Sequence, residues 1–343
     1  MKKSLLALAV LGAFAGVASA QSSVTLFGTV DLNGRYVKND GSNARYSLSQ
    51  DGINSSQLGF KGSEDLGGGL KAAFLLIAGV NADTGSTNSQ FFNRSAYAQL
   101  MGNFGEVRLG RDYTPTFWNN TIFDAFGTNG LGGSNDVKQS FAPDYVRANN
   151  AISYFLPGGI GGVYGQVMVA AGEGAAAGRY TGGRVGFAAG PFDIAGAYAE
   201  ERIATGTYKT ANIGGAYDFG VVKLLGYWNQ EKINSTKDNV YSVSAVVPMG
   251  QGEIHAGYNY GKLTDTGVSN KVDAISLGYV YNLSKRTALY TNVSRLSNGS
   301  VSNSSLGVAG VSTVGVGGSG SAAALPSLGG KSQGAEFGIR HFF

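Results

Sequence analysis

Polar and apolar residues alternate with a period of two along almost the whole chain. Near the N-terminus, Val24, Leu26, Val30, Leu32 and Tyr36 alternate with Thr25, Thr29, Asp31, Asn33 and Arg35. The same pattern recurs at residues 213–219, 240–247 and 253–260. Successive side chains of a strand point to opposite faces, so the alternation predicts strands with one apolar and one polar face.

The predicted strands are joined alternately by tight turns and by longer polar loops. We predict tight turns at 63–69, 102–105, 157–161, 189–191, 218–220, 248–252 and 282–285. The longer loops lie around Asn39, Thr84, Thr121, Gly174, Thr205, Ser235, Thr266 and Ser312. Short turns at one end and long loops at the other are typical of outer-membrane barrels, whereas a soluble β-sandwich is the alternative.

These seven turns and eight loops would join sixteen strands. An even number lets the first and last strands pair, and closure matters because hydrocarbon offers no partner to an open strand edge. The predicted fold class is therefore all-β, a 16-stranded antiparallel transmembrane β-barrel. Beyond the N-terminus, no apolar run is long enough for a membrane-spanning helix.

Residues 55–80, SSQLGFKGSEDLGGGLKAAFLLIAGV, are predicted to form one hairpin of the barrel wall. The residues predicted to face outward are Leu58, Phe60, Ala72, Phe74 and Leu76. Those predicted to face inward are Gln57, Gly59, Lys61, Lys71, Leu75 and Ile77. Ser95 and Gln99 are assigned to outward positions further along the chain, where they would suit a protein contact.

The N-terminus is typical of a secretory signal peptide. Lys2 and Lys3 precede an apolar run at 5–17, which ends in the small residues Ala18 and Ala20. We expect residues 1–20 to be removed and residues 21–343 to form the barrel. Without Lys2 and Lys3 the chain has 26 − 2 = 24 basic and 22 acidic residues, a net charge of +2, which argues against a nucleic-acid partner.

Catalysis and metal binding have little support in the sequence. The chain has no cysteine and only two histidines, His255 and His341, of which His255 is predicted to face the lumen. A general base needs a nucleophile and an orienting partner, and no motif around His255 supplies them. We predict that the protein is not an enzyme and has no cofactor or transition-metal site, while calcium in acidic loops stays open.

Several motifs resemble the trimeric general porins of Gram-negative outer membranes. They are LGFKGSEDLGGGLKA (58–72), FFNRSAYAQL followed by GEVRLGR (91–111), RANNAISY (147–154) and the terminal GIRHFF. The final strand ends on Phe343, which resembles the carboxyl-terminal signal that outer-membrane barrels present to the barrel assembly machinery. The likeness covers the whole mature chain and implies a homotrimer in contact with outer-membrane lipid and lipopolysaccharide.

The resemblance also implies a pore constriction. The third external loop, here 112–146, would fold into the lumen, and its Phe117, Trp118, Ile122, Phe123 and Phe126 argue against a disordered loop. Arg94 and Arg147 match two wall arginines of the family, and Asp124 is the candidate acid of the loop. Lys61 would assist them, while Arg111 and Tyr113 at the loop root would anchor the loop.

Two positions depart from the family pattern. Gln57 stands where anion-preferring relatives have arginine, and Ile77 stands where they have glutamate. We therefore predict a passive water-filled channel for ions and small hydrophilic solutes, with a weaker transverse field and a modest anion preference. The alternatives are a solute-specific channel and a sealed barrel that acts as an adhesin or structural protein.

Overall fold

The computed structural model describes residues 23–140, 142–143, 145–175, 177–307 and 325–343. The predicted signal peptide, residues 1–20, and the centre of the predicted eighth loop around Ser312 lie outside the described residues. The assignment of residues 21–343 to a single domain stays a prediction.

The described residues form eighteen antiparallel strands and one α-helix. The strands are β1 (Ser23–Asn39), β2 (Arg45–Gln50), β3 (Gln57–Gly67), β4 (Leu70–Asn81), β5 (Ser86–Thr87), β6 (Ser95–Gly102), β7 (Gly105–Tyr113), β8 (Arg147–Phe155), β9 (Val163–Ala170), β10 (Arg179–Ala189), β11 (Phe192–Ile203), β12 (Gly206–Asp218), β13 (Lys223–Ile233), β14 (Thr236–Met249), β15 (Gly252–Asp265), β16 (Val268–Asn282), β17 (Thr287–Asn298) and β18 (Lys331–Phe342). Helix α1 (Pro115–Ile122) and the 3-10 turns Gly130–Gly132 and Ser134–Val137 lie between β7 and β8.

The sheet closes on itself through β1 and β18, which pair from Thr29 with Phe342 to Asn39 with Ser332. On its other edge, β1 pairs with β3 along its first half and with β2 along its second half. These two strands share one position in the wall, interrupted at 51–56, and β5 pairs only with the end of β4. The wall therefore has sixteen strand positions, which confirms the predicted closed 16-stranded barrel.

The two faces of the wall differ as the alternation predicts. On β1, Leu26 and Val30 are exposed, whereas Thr29 and Asp31 are buried. A closed barrel shields its inner face, so the exposed apolar side is the outer one. No helix among the described residues is long and apolar enough to cross a membrane.

The assignment of Ser95 and Gln99 to the outer face is wrong. Ser95 pairs directly with Ile77, and Gln99 pairs with Arg108. Directly paired residues of an antiparallel sheet lie on one face, and in this part of the wall it is the inner one. The reason is that β6 starts only at Ser95, so the face of each residue is fixed by its pairing with β4.

Three predicted long loops are instead two-residue turns. The chain needs only residues 204–205, 234–235 and 266–267 to pass between β11 and β12, β13 and β14, and β15 and β16. Asn234 and Gly267 adopt positive φ, as tight hairpins require. Polar residues near these strand ends look like loops in the sequence, yet they continue the hydrogen-bonded ladder beyond the ~9–11 residues that cross a bilayer.

Candidate pore-lining site

Thr114 holds together the two ends of the long connection between β7 and β8, residues 114–146. The Thr114 hydroxyl accepts a hydrogen bond from the Phe117 amide (3.3 Å) and so caps α1, with Pro115 at the first helical position. The same hydroxyl donates to the Tyr145 carbonyl (2.7 Å). Because Thr114 joins both ends of the connection, the segment leaves and re-enters the wall at one place.

Asparagines of α1 attach the segment to the polar face of the wall. The Asn119 amide nitrogen donates to the Asn212 side-chain oxygen on β12 (2.9 Å) and to the Ala195 carbonyl on β11 (3.2 Å). The Asn120 amide nitrogen donates to the Asn229 oxygen on β13 (3.2 Å). All of these side chains are buried, so each amide that found no partner would cost free energy.

Two wall carboxylates hold the second half of the segment. Asp238 on β14 accepts hydrogen bonds from the backbone amides of Gln139 and Ser140, both at 2.7 Å. Glu231 on β13 accepts from the Ala142 amide (2.7 Å) and forms an ion pair with Lys138. These contacts give both acids partners in a place from which water is excluded.

The apolar residues of the segment are buried against the wall. Phe123, Leu131 and Val137 belong to one cluster with wall residues that include Val240 and Val272. Phe117 and Phe126 are also buried, while Trp118 and Ile122 are partly buried. Full burial of such a side chain stabilises by ~1.5–3 kcal/mol, which explains how a long connection keeps one conformation.

At the root of the segment, Arg94 and Arg147 converge on one hydroxyl. Arg94 Nη2 donates to Tyr113 Oη at 2.9 Å, and Arg147 Nη2 donates to the same oxygen at 2.6 Å. The Arg147 guanidinium also lies 4.3 Å from the centre of the Tyr113 ring. The sequence-predicted Arg94, Arg147 and Tyr113 are therefore brought together.

Two features fix Tyr113 at this point. Its ring is stacked on Phe117 of α1, with centroids 5.5 Å apart and planes 7° from parallel. Its backbone pairs with that of Arg147 at the start of β8. Within the described part of the chain, neither Arg94 nor Arg147 forms an ion pair, so this pair of positive charges is not neutralised by a contacting carboxylate.

Arg111 lies on the same root but contacts different groups. Its Nε donates to the Asn93 carbonyl (2.6 Å), and its Nη1 donates to the Asn149 side-chain oxygen (2.8 Å). It thus links β7 to the residues that precede β6 and to β8. The anchoring of the third loop that the sequence predicts for Arg111 stays a prediction.

Asp124 has an environment unlike that of an acid lining a water-filled passage. It is 5% exposed, and its carboxylate accepts hydrogen bonds from the Phe126 amide (2.9 Å), the Ser134 amide (3.0 Å) and the Ser134 hydroxyl (2.7 Å). Burial raises the pKa of this carboxyl, and the hydrogen bonds from Ser134 and Phe126 oppose the rise. Asp124 therefore holds two parts of its own segment together.

The remaining predicted residues lie on the first hairpin. Gln57 on β3 and Ile77 on β4 are half-buried neighbours on one face, since Gln57 pairs with Gly79 and Ile77 with Gly59. Lys61 is exposed, with its Nζ 5.4 Å from the centre of the Phe27 ring. The structure gives Lys61 no contact with the Arg94 and Arg147 pair.

Sequence reasoning missed the residues that receive the segment. Glu231, Asp238, Asn212 and Asn229 are all buried at inner positions of β12–β14. The available signal was a run of amide and acidic residues at the inner positions of neighbouring strands. Asn119 and Asn120 are adjacent polar residues in a connection otherwise rich in apolar residues. They could have been predicted to hydrogen-bond with these inner wall residues.

The comparisons with known proteins agree with this architecture. Residues 7–301 match the family described as Gram-negative porin. The chain belongs to this family. It is 40% identical to Outer membrane porin protein 32 of Delftia acidovorans, with 100% of both chains covered. The family resemblance seen in the motifs is confirmed, and the protein is located in the outer membrane.

A more distant relative and a solved structure extend the picture. The porin is 28% identical to Major outer membrane protein P.IB of Neisseria meningitidis serogroup B, with 90% of this chain and 98% of that protein covered. The solved anion-selective porin from Comamonas acidovorans superposes with a TM-score of 0.81 at 36% identity, over 94% of this chain and 100% of that one. The barrel wall is therefore that of a porin.

Proposed function

We propose that this porin forms a passive, water-filled channel for ions and small hydrophilic solutes, with a modest preference for anions. The observation that carries the anion preference is the convergence of Arg94 and Arg147 on Tyr113 without a contacting carboxylate. Fixed positive charges that are not paired attract anions into a confined aqueous passage and repel cations. The similarity to an anion-selective porin supports the same sign.

The segment 114–146 is proposed to fold into the lumen and to narrow the channel beside these arginines. Its hydrogen bonds to Asn212, Asn229 and Asp238 support this, because all three residues lie on the face opposite to the exposed apolar side chains. Tyr113 connects the segment to the two arginines, since its ring stacks on Phe117 of α1 and its hydroxyl accepts hydrogen bonds from both guanidinium groups. The narrowest part of the pore would then lie where the positive charge is highest.

A channel role is favoured over catalysis. His255 is close to Glu253, with Nε2 and Oε1 2.9 Å apart, and its ring meets Phe126 edge-on at 5.6 Å. In the described parts of the chain, no group of three or more His, Asp or Glu residues is arranged to hold a metal ion.

The homotrimer, the contacts with lipopolysaccharide and the recognition of Phe343 by the assembly machinery are further proposals that follow from the family resemblance.

The test is the zero-current potential of the purified mature porin in a planar bilayer across a KCl gradient. We expect a zero-current potential that indicates chloride preference. In the double variant Arg94→Gln/Arg147→Gln the potential should shift toward zero, the value of a pore that does not discriminate between potassium and chloride. Lys285→Gln/Arg286→Gln is the matched control, because it removes two exposed cations from the turn after β16. That control should leave the potential unchanged.

Three results would contradict parts of the proposal. An unchanged potential in the arginine variant would show that other charges set the selectivity. Cation preference in the unaltered porin would reverse the proposed sign. The absence of channel steps would favour the sealed barrel. The segment 114–146 extends as far as β18, where the Leu131 amide donates to Glu336, and a segment of this extent could close the lumen.

A further inference from the structure

Residues 51–56, where the wall is interrupted between β2 and β3, lie across the inner face of the barrel. We name them the crossing segment. A Cβ atom on Gly52 would collide with the hydroxyl of Tyr290, which is buried at an inner position of β17. Asn54 accepts a hydrogen bond from Arg340 Nη1 on β18 (3.1 Å). Because β1 and β18 stand between β17 and the position that β2 and β3 share, the crossing segment must pass over the inside of the wall to reach Tyr290.

One buried carboxylate holds the crossing segment in place. Asp31 on β1 is fully buried and accepts hydrogen bonds from the backbone amides of Gly52 (3.2 Å), Ile53 (3.0 Å) and Asn54 (2.8 Å). It also accepts a hydrogen bond from the Tyr290 hydroxyl. Hydrogen bonds to a charged acceptor are roughly twice as strong as those between neutral groups, so Asp31 fixes the position of the segment.

The crossing segment also meets the connection between β7 and β8. The Gly130 amide donates to the Asp51 carbonyl (3.0 Å), and the Ser55 hydroxyl donates to Asn129 Oδ1 (3.2 Å). A Cβ atom on Gly130 would collide with the Gly52 carbonyl, so the two stretches of backbone are in close contact. Two elements therefore adjoin on the inner side of the wall, one from the long connection and one from the wall itself.

Asp51, the first residue of the crossing segment, has an uncommon backbone conformation. Its φ is 61°, in the left-handed region that residues other than glycine seldom adopt. Its Oδ1 accepts a hydrogen bond from the Ser56 amide (2.7 Å), which joins the two ends of the segment. Residues held in this conformation cluster at functional sites, where the surrounding structure requires them. The fold thus keeps a carboxylate at a position where glycine would adopt the backbone at less cost.

The crossing segment brings Asp51 close to Arg94. The Ser56 carbonyl accepts a hydrogen bond from the Val80 amide (3.2 Å), and the Ile77 carbonyl accepts one from the Arg94 amide (3.1 Å). The end of the segment and Arg94 therefore bind the same stretch of β4, and the charges of Asp51 and Arg94 attract each other. In the described part of the chain the two side chains do not form an ion pair, so neither charge is cancelled by direct contact.

Asp51 differs from Asp31 and Asp124 in its access to water. Asp31 and Asp124 are buried, and hydrogen bonds from protein groups surround their carboxylates. Asp51 is partly exposed. Because the crossing segment lies on the inner face, the water that reaches Asp51 is that of the barrel interior. The nearby wall residues Gln57 and Ile77 are uncharged, so they neither oppose nor reinforce the charge of Asp51 there.

We propose that Asp51 is a specificity-determining residue of the channel, whose negative charge beside Arg94 opposes the passage of anions. A carboxylate next to an arginine lowers the positive potential that a permeant anion meets, and the two opposite charges create a field between them. The proposal accounts for an anion preference that is only modest although two arginines converge on Tyr113. It rests on the proposed channel but not on the sign of its selectivity.

The test compares the zero-current potentials of Asp51→Asn, Asp51→Glu and the unaltered porin in planar bilayers across a KCl gradient. Asp51→Asn keeps an oxygen that can accept from the Ser56 amide and removes the charge, whereas Asp51→Glu keeps the charge. Asp218→Asn is the matched control. Asp218 also accepts a hydrogen bond from a backbone amide, that of Gly220 (2.8 Å), but it is exposed at the end of β12. Channel steps in each variant show that the barrel is folded.

We expect Asp51→Asn to raise the ratio of chloride to potassium permeability roughly two- to fivefold, the effect of one unit charge acting across a few ångströms of water. Asp51→Glu and Asp218→Asn should keep the ratio of the unaltered porin. An unchanged ratio in Asp51→Asn would overturn the proposal. So would an equal rise in Asp51→Glu, because the charge would then not be the cause.

The absence of cysteine from the chain allows a second measurement. In Asp51→Cys, a positively charged methanethiosulfonate reagent should raise the permeability ratio further, and a negatively charged one should restore the ratio of the unaltered porin. Val243→Cys places a thiol on the outer face, where residue 243 is 65% exposed, and neither reagent should change its ratio. If neither reagent altered the current through Asp51→Cys, residue 51 would lie outside the passage and the proposal would fail.

These results distinguish the role of Asp51 from the proposed function. If Arg94→Gln/Arg147→Gln shifts the potential and Asp51→Asn does not, only the role of Asp51 is contradicted. Cation preference in the unaltered porin would contradict the proposed anion preference. Even then, Asp51→Asn should shift the potential toward chloride preference, because the sign of the removed charge is the same.

Discussion

Arg35 and Glu336 form a buried ion pair across the seam where the barrel closes. Arg35 Nη2 on β1 is 2.8 Å from Glu336 Oε2 on β18, and the two residues are directly paired. The other oxygen, Glu336 Oε1, accepts hydrogen bonds from the Leu131 amide (3.2 Å) and the Asn292 amide nitrogen (2.8 Å). One carboxylate thus joins the first strand, the last strand, β17 and the segment 114–146.

We expect Glu336→Gln to destabilise the barrel. The substitution leaves the buried Arg35 guanidinium without its counter-charge, and loss of one partner from a buried pair costs ~3–5 kcal/mol. The free energy of unfolding can be measured by denaturant titration of the porin folded in lipid vesicles. The double variant Arg35→Met/Glu336→Leu should recover most of the loss, because it leaves no buried charge unpaired.

A Glu336→Gln variant as stable as the unaltered porin would show that the seam is held by backbone pairing alone. A double variant as unstable as the single one would indicate that the contact between Glu336 and Leu131 matters more than the charge. Hydrogen exchange at the Leu131 amide separates these two results, since it reports the contact with the segment directly.

Tyr113→Phe tests whether the ion selectivity depends on how Arg94 and Arg147 are positioned or only on their charge. The variant keeps the ring that stacks on Phe117 and removes the oxygen that accepts from Arg94 and Arg147. Hydrogen bonds to charged groups contribute ~1.5–3 kcal/mol, so the variant should unfold more easily. Because both positive charges remain, its zero-current potential should still indicate chloride preference. A potential equal to that of Arg94→Gln/Arg147→Gln would mean that the hydroxyl, not the charge alone, sets the selectivity.

The strand pattern was predictable because the wall separates two unlike surroundings. Residues such as Val243 and Ile275 must meet hydrocarbon, whereas Ser244 and Ser276 on the opposite face are buried, and this contrast repeats every second residue. The contrast disappears at strand ends that rise above the hydrocarbon. Lys232 and Lys237 there resemble loop residues, although they continue the ladder, so the lengths of three connections were predicted wrongly although their positions were correct.

The candidate site was predictable only in part for a different reason. Family motifs identified Arg94 and Arg147, but their meeting at the Tyr113 hydroxyl depends on the path of the segment from Thr114 onward. The burial of Asp124 depends on contacts within that segment, in particular with Ser134. Such non-local contacts leave no periodic signal, and the wall residues that complete them are separated from the segment by as many as 205 positions, from Leu131 to Glu336.

Asp124→Asn tests whether this acid acts through its charge or through its hydrogen bonds. From the burial of its carboxylate, we expect the zero-current potential to stay unchanged. The variant should nevertheless increase hydrogen exchange at the Ser134 and Phe126 amides, since an amide oxygen is a weaker acceptor than a carboxylate. A change of potential with unaltered exchange would instead support the role of a pore-lining acid that the family resemblance predicts.

Asp136, which joins two connections of the barrel, should make the stability of the porin depend on pH. Its Oδ2 accepts a hydrogen bond from the Gly307 amide (3.1 Å), which belongs to the connection between β17 and β18. Burial raises the pKa of Asp136 to about 7, with nearby Glu336 adding to the rise and Gly307 and Arg35 opposing it. The folded state thus favours the protonated carboxyl, whose ordinary pKa is near 3.8.

The raised pKa of Asp136 determines the sign of the pH dependence. The stabilising contribution of protonated Asp136 is fully present below about pH 4 and is lost as the pH rises through about 7, a change on the order of a few kcal/mol. Asp136→Asn, which cannot ionise, should abolish this dependence. The measurement is the difference in the free energy of unfolding between the unaltered porin and the variant at each pH, by denaturant titration of the porin folded in lipid vesicles. Relative to the variant, the unaltered porin should be most stable at pH ~4 and should lose stability between pH ~4 and ~7. A constant difference would mean that Asp136 does not titrate in this range.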